Sequence, residues 1–354
     1  ITSQMLKMDN SIIKQIEIVS IQHTTKESRT IVLRPLNGWR PVYKAGQFIT
    51  LVFYTKKGEQ RRSYSISSSP QVNVPLSITV KKLDNGEFSR WLVYKAKPGD
   101  ILQTSGISGF FVLPENPGEK TFCFLAAGSG ITPCYSLIKT LLLTTHQKVF
   151  LFYSNRNEGE TIFLQQLRNL QEQYPDRFYI HFMFSNKLDV YYSRLSHWLL
   201  THLLDRHFRD IVKKDILFYI CGPFDYMLMA TISLRNNGVY NNQIIKEDFN
   251  PLPPVRILTP PDKGMHNVTL HVGEAVHRIR VQYPQSIVAA AKEAKIAVPY
   301  SCEAGRCGSC VATCTSGKIW MAYNEVLLDE EIAKGRVLTC QGYPVGGDAE
   351  ITYD

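Results

Sequence analysis

The hydrophobic rhythm of the chain changes twice. Up to about residue 118, apolar and polar positions alternate in short runs, as in QFITLVFYT (47–55), RRSYSIS (61–67) and PLSITVKKL (75–83), with turn residues between them. Period-two alternation over short segments predicts strands, and a succession of them with little helical period predicts an antiparallel β-barrel. From residue 121 the strand-like runs are apolar throughout: TFCFLAA (121–127), KVFLFYSN (148–155), FYIHFMFS (178–185) and DILFYICGP (215–223). They alternate with runs of helical spacing, CYSLIKTLLL, IFLQQLRNL and LSHWLLTHLL. Strands with two apolar faces, separated by helices, predict a doubly wound α/β parallel sheet. Beyond residue 267, NVTLHV and HRIRVQ read as a hairpin around GEAV. SIVAAAKEAKI then has helical spacing with Ser286 as its N-cap, so the tail reads as a small α+β domain.

Five prolines in FNPLPPVRILTPPDKG (249–264) can continue neither a helix nor a central strand. The predicted organisation is therefore a barrel domain over 1–118, a parallel-sheet domain over 119–250, a Pro-rich linker over 251–266 and a third domain over 267–354.

Composition narrows the class. Of 354 residues 44% are hydrophobic and 20% charged, as in a globular protein, and no run approaches the ~20 apolar residues of a membrane span. The first twenty residues have no secretory leader pattern, so a cytoplasmic location is expected. The net charge of +9 is uneven. Residues 267–354 hold 8 Lys/Arg and 10 Asp/Glu, a net of −2, leaving +11 for the rest. A basic body raises nucleic-acid binding as a rival, yet there is no run of basic residues and no nucleic-acid module, so no nucleic-acid partner is expected.

Five of the eight cysteines fall in the last 53 residues. Cys302, Cys307 and Cys310 are spaced C-x4-C-x2-C, and Cys340 follows after 29 intervening residues. That is the plant-type [2Fe–2S] spacing. A compact loop bearing Gly305 and Gly308 wraps three thiolates round one side of the cluster, and a distant strand supplies the fourth. Zinc is the alternative, but zinc ribbons use two C-x2-C pairs and only one is present. Cys314 does not fit the ligand pattern and reads as a buried thiol packed near the cluster. On these residues the tail resembles a plant-type ferredoxin domain, which implies a β-grasp-like fold.

Two further motifs precede the tail. Arg62, Ser63, Tyr64 and Ser65 stand as R-x-Y-S on a strand: an arginine can clamp a pyrophosphate, a tyrosine can face a flavin ring and a serine can bond its redox-active edge. Gly86, Phe88 and Ser89 stand as G-x-x-S at a predicted helix start, an anion site. In that order the two motifs resemble those of the ferredoxin–NADP reductase superfamily. The resemblance covers residues 10–250, includes GISGFF (106–111), and implies FAD held by Arg62, Ser63, Tyr64, Ser65, Val80, Lys81, Gly86, Phe88 and Ser89. AAGSGITP (126–133) lies between a predicted strand and helix, where Gly128 and Gly130 let backbone approach a diphosphate. With Thr132 and Pro133 it matches the superfamily's nicotinamide turn, and Cys221, Gly222 and Pro223 match the segment beside the nicotinamide ring. Cys221 also reads as a plain buried thiol. Arg156, Ser185, Lys187 and Arg194 are candidates for cradling the 2′-phosphate of NADPH, or are simply solvated charge; the lean is to NADPH. Glu247 and Phe249 match an acid and an aromatic that lie close to the flavin in the superfamily, and Glu247 reads equally as a structural glutamate. Tyr64, Ser65, Cys221 and Glu247 are the candidate catalytic set.

The domain order resembles that of oxygenase reductase components, including the phenylacetyl-CoA epoxidase type. It implies electron flow from NAD(P)H to FAD to [2Fe–2S] to an oxygenase or similar acceptor protein. A cluster-bearing redox sensor or carrier scaffold without turnover is the alternative. Glu325, Asp329, Glu330 and Glu331 form the expected docking surface for that acceptor.

Overall fold

A computed structural model describes residues 13–56, 58–72, 74–249 and 258–353. Residues 250–257 of the predicted linker stretch lie outside the described residues.

The first sheet has six antiparallel strands: β1 (Lys14–Thr25), β2 (Ser28–Pro35), β3 (Phe48–Thr55), β4 (Gly58–Ser65), β5 (Ser77–Lys81) and, after helix α1 (Glu87–Tyr94), β6 (Ile101–Ser108). Their order is β4-β3-β6-β1-β2-β5, and an Ile66–Ile78 bridge joins the two edges. The sheet thus closes into the expected barrel, which leaves no free edge. Inward positions of the alternating strands supply its core, among them Ile16, Ile18, Ile31, Ile49, Leu51 and Ile78, all 0% exposed.

The second sheet is wholly parallel, in the order β11-β10-β7-β8-β9. Its elements are β7 (Thr121–Ala127), α2 (Ile131–Thr144), β8 (Val149–Asn155), α3 (Leu164–Gln173), β9 (Phe178–Phe184), α4 (His197–Phe208), β10 (Ile216–Cys221), α5 (Phe224–Asn236) and β11 (Ile244–Glu247). Every residue of β7 is buried, because helices cover both faces. The order reverses at β7, so the switch point, where such sheets bind ligands, lies at the C-terminal ends of β7 and β10.

The third sheet is mixed: β12 (His266–Val272) and β13 (Ala275–Val281) form the predicted hairpin, and the order is β13-β12-β18-β14-β16. The remaining elements are α6 (Ile287–Glu293), β14 (Val311–Ser316), β15 (Ile319–Met321), α7 (Asp329–Ala333), β16 (Arg336–Leu338), β17 (Gly342–Pro344) and β18 (Ala349–Tyr353). Ser286 caps α6 by accepting from the Ala289 N–H at 3.3 Å. The apolar side of α6 packs on the sheet through Ile287, Val288, Ala290 and Ala291. No helix among the described residues is long and apolar enough to cross a membrane.

Candidate functional site

The cysteines gather at one end of the third sheet. Cys302, Cys307 and Cys310 sit on the loop between α6 and β14, and Cys340 follows β16; none is in a disulfide. The Thr339 N–H and hydroxyl both donate to the Cys310 carbonyl, at 3.1 and 2.8 Å, which brings Cys340 to the loop. The Cys307 thiol, together with N–H donors of Ala304, Arg306 and Cys307, holds the Cys302 thiol down to about 6. The bond from Cys302, and then burial, push Cys307 up. The bond from Cys310, and then burial, push Cys340 up. The Cys302 and Cys307 thiols thus lie within bonding reach of each other, as do those of Cys310 and Cys340. Among the described residues no three metal-ligating side chains converge on one point as they would round a single ion. Thiolates divided between two irons need no such point. Gly308 (φ +75°) turns the loop where a Cβ would stand 2.6 Å from the Phe110 ring, so only glycine fits. Cys314 departs from expectation: it is half-buried on β14, with its thiol on the carbonyls of Ser316 and Gly317 at 3.4 and 3.8 Å.

The flavin motifs lie at one end of the barrel. β4 carries Arg62 to Ser65, and α1 starts directly after Gly86. Arg62 is exposed and its guanidinium lies 5.2 Å over the Phe88 ring, so the two motifs meet in space. Phe88 in turn stacks on Phe53 at 4.2 Å. Tyr64 is half-buried, and burial pushes its phenol up. Ser65 is 4% exposed, and its hydroxyl has no partner among the described residues. An orphaned buried hydroxyl costs about 1–3 kcal/mol, so the position fits a cofactor that completes the bond. Ser89 serves differently: its Oγ donates to the Gly86 carbonyl and accepts from the Leu83 N–H, both at 3.1 Å, bracing the turn. Its hydroxyl is thus engaged, while the first N–H groups of α1 carry no side-chain cap. Val80 faces the barrel core at 2% exposure, leaving only its backbone to a ligand, and Lys81 is half-buried at the strand end.

At the switch point, Gly128 and Gly130 turn the chain from β7 into α2. A Cβ on Gly130 would stand 2.0 Å from the Cys221 carbonyl oxygen. Thr132 is buried and donates to the Ser129 carbonyl at 2.9 Å, and Pro133 is buried behind it. Cys221 ends β10, Pro223 caps α5 with Gly222 between them, and burial pushes the Cys221 thiol up. Cys221 stands in register with Glu247, the last residue of β11. Glu247 is 8% exposed, and burial, helped by Asp248, raises it to about 8. Phe249 follows, 44% exposed. The ends of β8 and β9 are tied together: Ser185 N–H donates to Asn155 O at 3.0 Å and Asn186 N–H to Arg156 O at 3.1 Å. Arg156, Ser185 and Lys187 thus share one rim, where Glu160 pairs with Arg156 at 3.6 Å. Arg194 is exposed on the stretch leading to α4.

The three sites are packed together. Ser136 Oγ donates to the Ser68 carbonyl at 2.6 Å, Ser69 and Thr140 hydroxyls meet at 2.7 Å, and Tyr219 OH donates to Val112 O at 2.8 Å, seating α2 and β10 on the barrel. Ser63 Oγ meets Ser301 Oγ at 2.6 Å, and Ser108 Oγ meets Ser309 Oγ at 3.0 Å, seating the cysteine loop on the flavin strand. Arg306, inside the loop, pairs with Asp248 at 3.6 Å and Glu325 at 3.5 Å. No short pattern marks Ser136, Thr140, Ser301, Ser309 or Arg306 for these contacts, and Ser63 and Glu325 were expected in other roles. Glu325, expected to face an acceptor, turns out to pair within the chain.

A closed flavin barrel, a parallel sheet with a nicotinamide turn and a cysteine-rich β-grasp domain define a pyridine-nucleotide-dependent iron–sulfur flavoprotein reductase. The chain matches the oxidoreductase FAD-binding domain over residues 17–112, the oxidoreductase NAD-binding domain over 124–231 and the 2Fe-2S iron-sulfur cluster binding domain over 271–345. It is 31% identical to the ferredoxin reductase component of a 3-ketosteroid-9-alpha-monooxygenase from Mycolicibacterium smegmatis, over 96% of this chain and 97% of that one. It is 28% identical to one component of the 1,2-phenylacetyl-CoA epoxidase of Escherichia coli, over 95% and 96%. Phthalate dioxygenase reductase shares the fold, with a TM-score of 0.58 at 23% identity over 96% of this chain and 98% of that one. The chain belongs to the family of ferredoxin reductase components of oxygenases, enzymes that pass electrons from NAD(P)H through FAD to a [2Fe–2S] cluster. The sensor or scaffold alternative is thereby set aside.

Proposed function

We propose that this chain oxidises NADPH in preference to NADH and delivers the electrons to a terminal oxygenase that docks on the acidic side of the third domain. When bound, FAD accepts a hydride and releases its two electrons singly, chemistry no side chain can supply. The chain's own residues bind and orient. Arg62 and the N–H groups at the start of α1 hold the diphosphate, Tyr64 faces the ring, and the Ser65 hydroxyl bonds its reactive edge. Gly128, Gly130, Thr132 and Pro133 receive the coenzyme diphosphate, while Cys221, Gly222 and Pro223 face the nicotinamide. Glu247 keeps its proton at neutral pH beside that ring. Arg156, Ser185 and Lys187 support the preference for NADPH. Cys302, Cys307, Cys310 and Cys340 ligate the cluster. For docking, Asp329 and Glu330 are the exposed acids of α7, whereas Glu331 is engaged in accepting from the Leu328 N–H at 2.9 Å.

The observation that carries this reading is the 2.6 Å contact of Ser63 with Ser301, which sets the middle of the flavin motif beside the residue preceding Cys302. Anaerobic titration of the purified protein with NADPH and then NADH tests it. Flavin bands and a broad cluster absorption are both expected to bleach, at lower NADPH than NADH. Ser65→Ala is expected to lose flavin on gel filtration without losing stability when flavin-free, because the orphaned hydroxyl is removed. A cluster spectrum that ignores both coenzymes would overturn the assignment.

A further inference from the structure

β4 serves two neighbours at once. Its pleat turns Arg62 and Tyr64 to one side and Arg61 and Ser63 to the other. Arg61 and Ser63 meet the third domain at the two residues before Cys302. The Arg61 guanidinium lies 3.6 Å over the Tyr300 ring, and its Nη1 donates to the Tyr300 carbonyl at 3.0 Å. Its Nε pairs with Glu59 at 2.7 Å, and the Tyr300 hydroxyl donates to the same carboxylate oxygen at 3.0 Å. Lys292 approaches the Tyr300 ring as well, at 4.8 Å. The Arg61 side chain is only 6% exposed and Tyr300 8%, so their stacked contact is largely desolvated, the condition under which cation–π contacts are strongest.

We propose that Arg61 is a positioning residue for the electron step from flavin to cluster: through Tyr300 it locks the loop that begins at Cys302 against the back of the flavin strand. The inference rests on the proposed ligand set. Each coenzyme oxidised gives two electrons with its hydride; one crosses to the cluster, and the second follows once an acceptor has emptied it. Arg61 contacts Tyr300 and Glu59 on the side of β4 opposite Arg62 and Tyr64, so it acts on the distance between the two sites. A lysine cannot replace it, since the lock uses a planar fork that stacks and donates together.

The test is anaerobic stopped-flow of the holoenzyme with NADPH, following flavin and cluster bands separately, for Arg61→Ala, Arg61→Lys and Tyr300→Leu. The flavin phase should keep its wild-type rate. The cluster phase should slow roughly tenfold or more in all three, the loss expected when a desolvated cation–π lock no longer holds the docked state. The Arg61→Ala/Tyr300→Leu double variant should be no slower than either single one, because both remove the same contact. Independently of turnover, amide hydrogen exchange should quicken at residues 299–303 and 59–63 in the resting protein. Unchanged cluster phase and unchanged exchange would overturn the proposal, as would equal slowing of both phases. Failure of the underlying assignment would look different: the wild-type cluster band would not respond to coenzyme at all.

Discussion

Glu247 is a buried carboxyl whose environment departs far from its free chemistry. Burial, and secondarily Asp248, raise it to about 8, against about 4.3 in an unfolded chain. Below the unfolded value both states hold the proton and pH has no effect. Between the two values the folded state keeps a proton that the unfolded state has released, so stability falls as pH rises, and the full cost is present above about 8. Glu247→Gln removes this dependence. Urea unfolding of the flavin-free chain should show the variant gaining on the wild type by a few kcal/mol between about pH 5 and about pH 9. A constant difference across that range would mean that Glu247 is ionised in the fold. The sequence marked Glu247 only through the superfamily resemblance at the end of the parallel-sheet domain, because burial of one carboxylate leaves no periodic trace.

At the scale of elements, the β7–α2 turn shows two glycines present for different reasons. Gly128 has φ +54° with open space round its missing Cβ, so Gly128→Ala should cost about 1–2 kcal/mol of backbone strain alone. At Gly130 a Cβ would meet the Cys221 carbonyl oxygen at 2.0 Å, and β10 cannot yield without breaking the sheet. Gly130→Ala should therefore cost about 3 kcal/mol or more by denaturant unfolding, and weaken coenzyme binding with it. Equal costs at the two positions would show that contact with β10 is not what demands glycine. The turn was legible in GSGITP, since strand, glycines and helix follow one another in the chain. The partner that makes Gly130 obligatory lies some ninety residues away and was not.

At the scale of the molecule, charge is divided between an inner and an outer use. Arg61 with Glu59, and Arg306 with Asp248 and Glu325, are spent on seating the cysteine loop. Asp329 and Glu330 remain on the outer face of α7. Neutralising both, as Asp329→Asn/Glu330→Gln, should slow electron delivery to the oxygenase at low salt while ferricyanide reduction stays unchanged. The gap should close near 0.15 M salt, where the screening length is about 8 Å. Equal loss of both activities would rule this surface out as the docking face.

The three-part architecture was readable from the chain because each part has its own hydrophobic period, and period is a local property. The candidate cluster cysteines stood out in the chain for the same reason, since three of the four thiols sit within nine residues on one loop. Glycine turns and the Arg62–Ser65 motif were readable as short strings. Folding alone decided which chemistry-bearing residues face one another: Ser65 with no hydroxyl partner among the described residues, Glu247 beside Cys221, Glu325 paired with Arg306, and Arg61 locked on Tyr300. Residues 61 and 300 are far apart along the chain, and only the packing of one domain against another brings such side chains into contact. No pattern within either segment encodes the other's position.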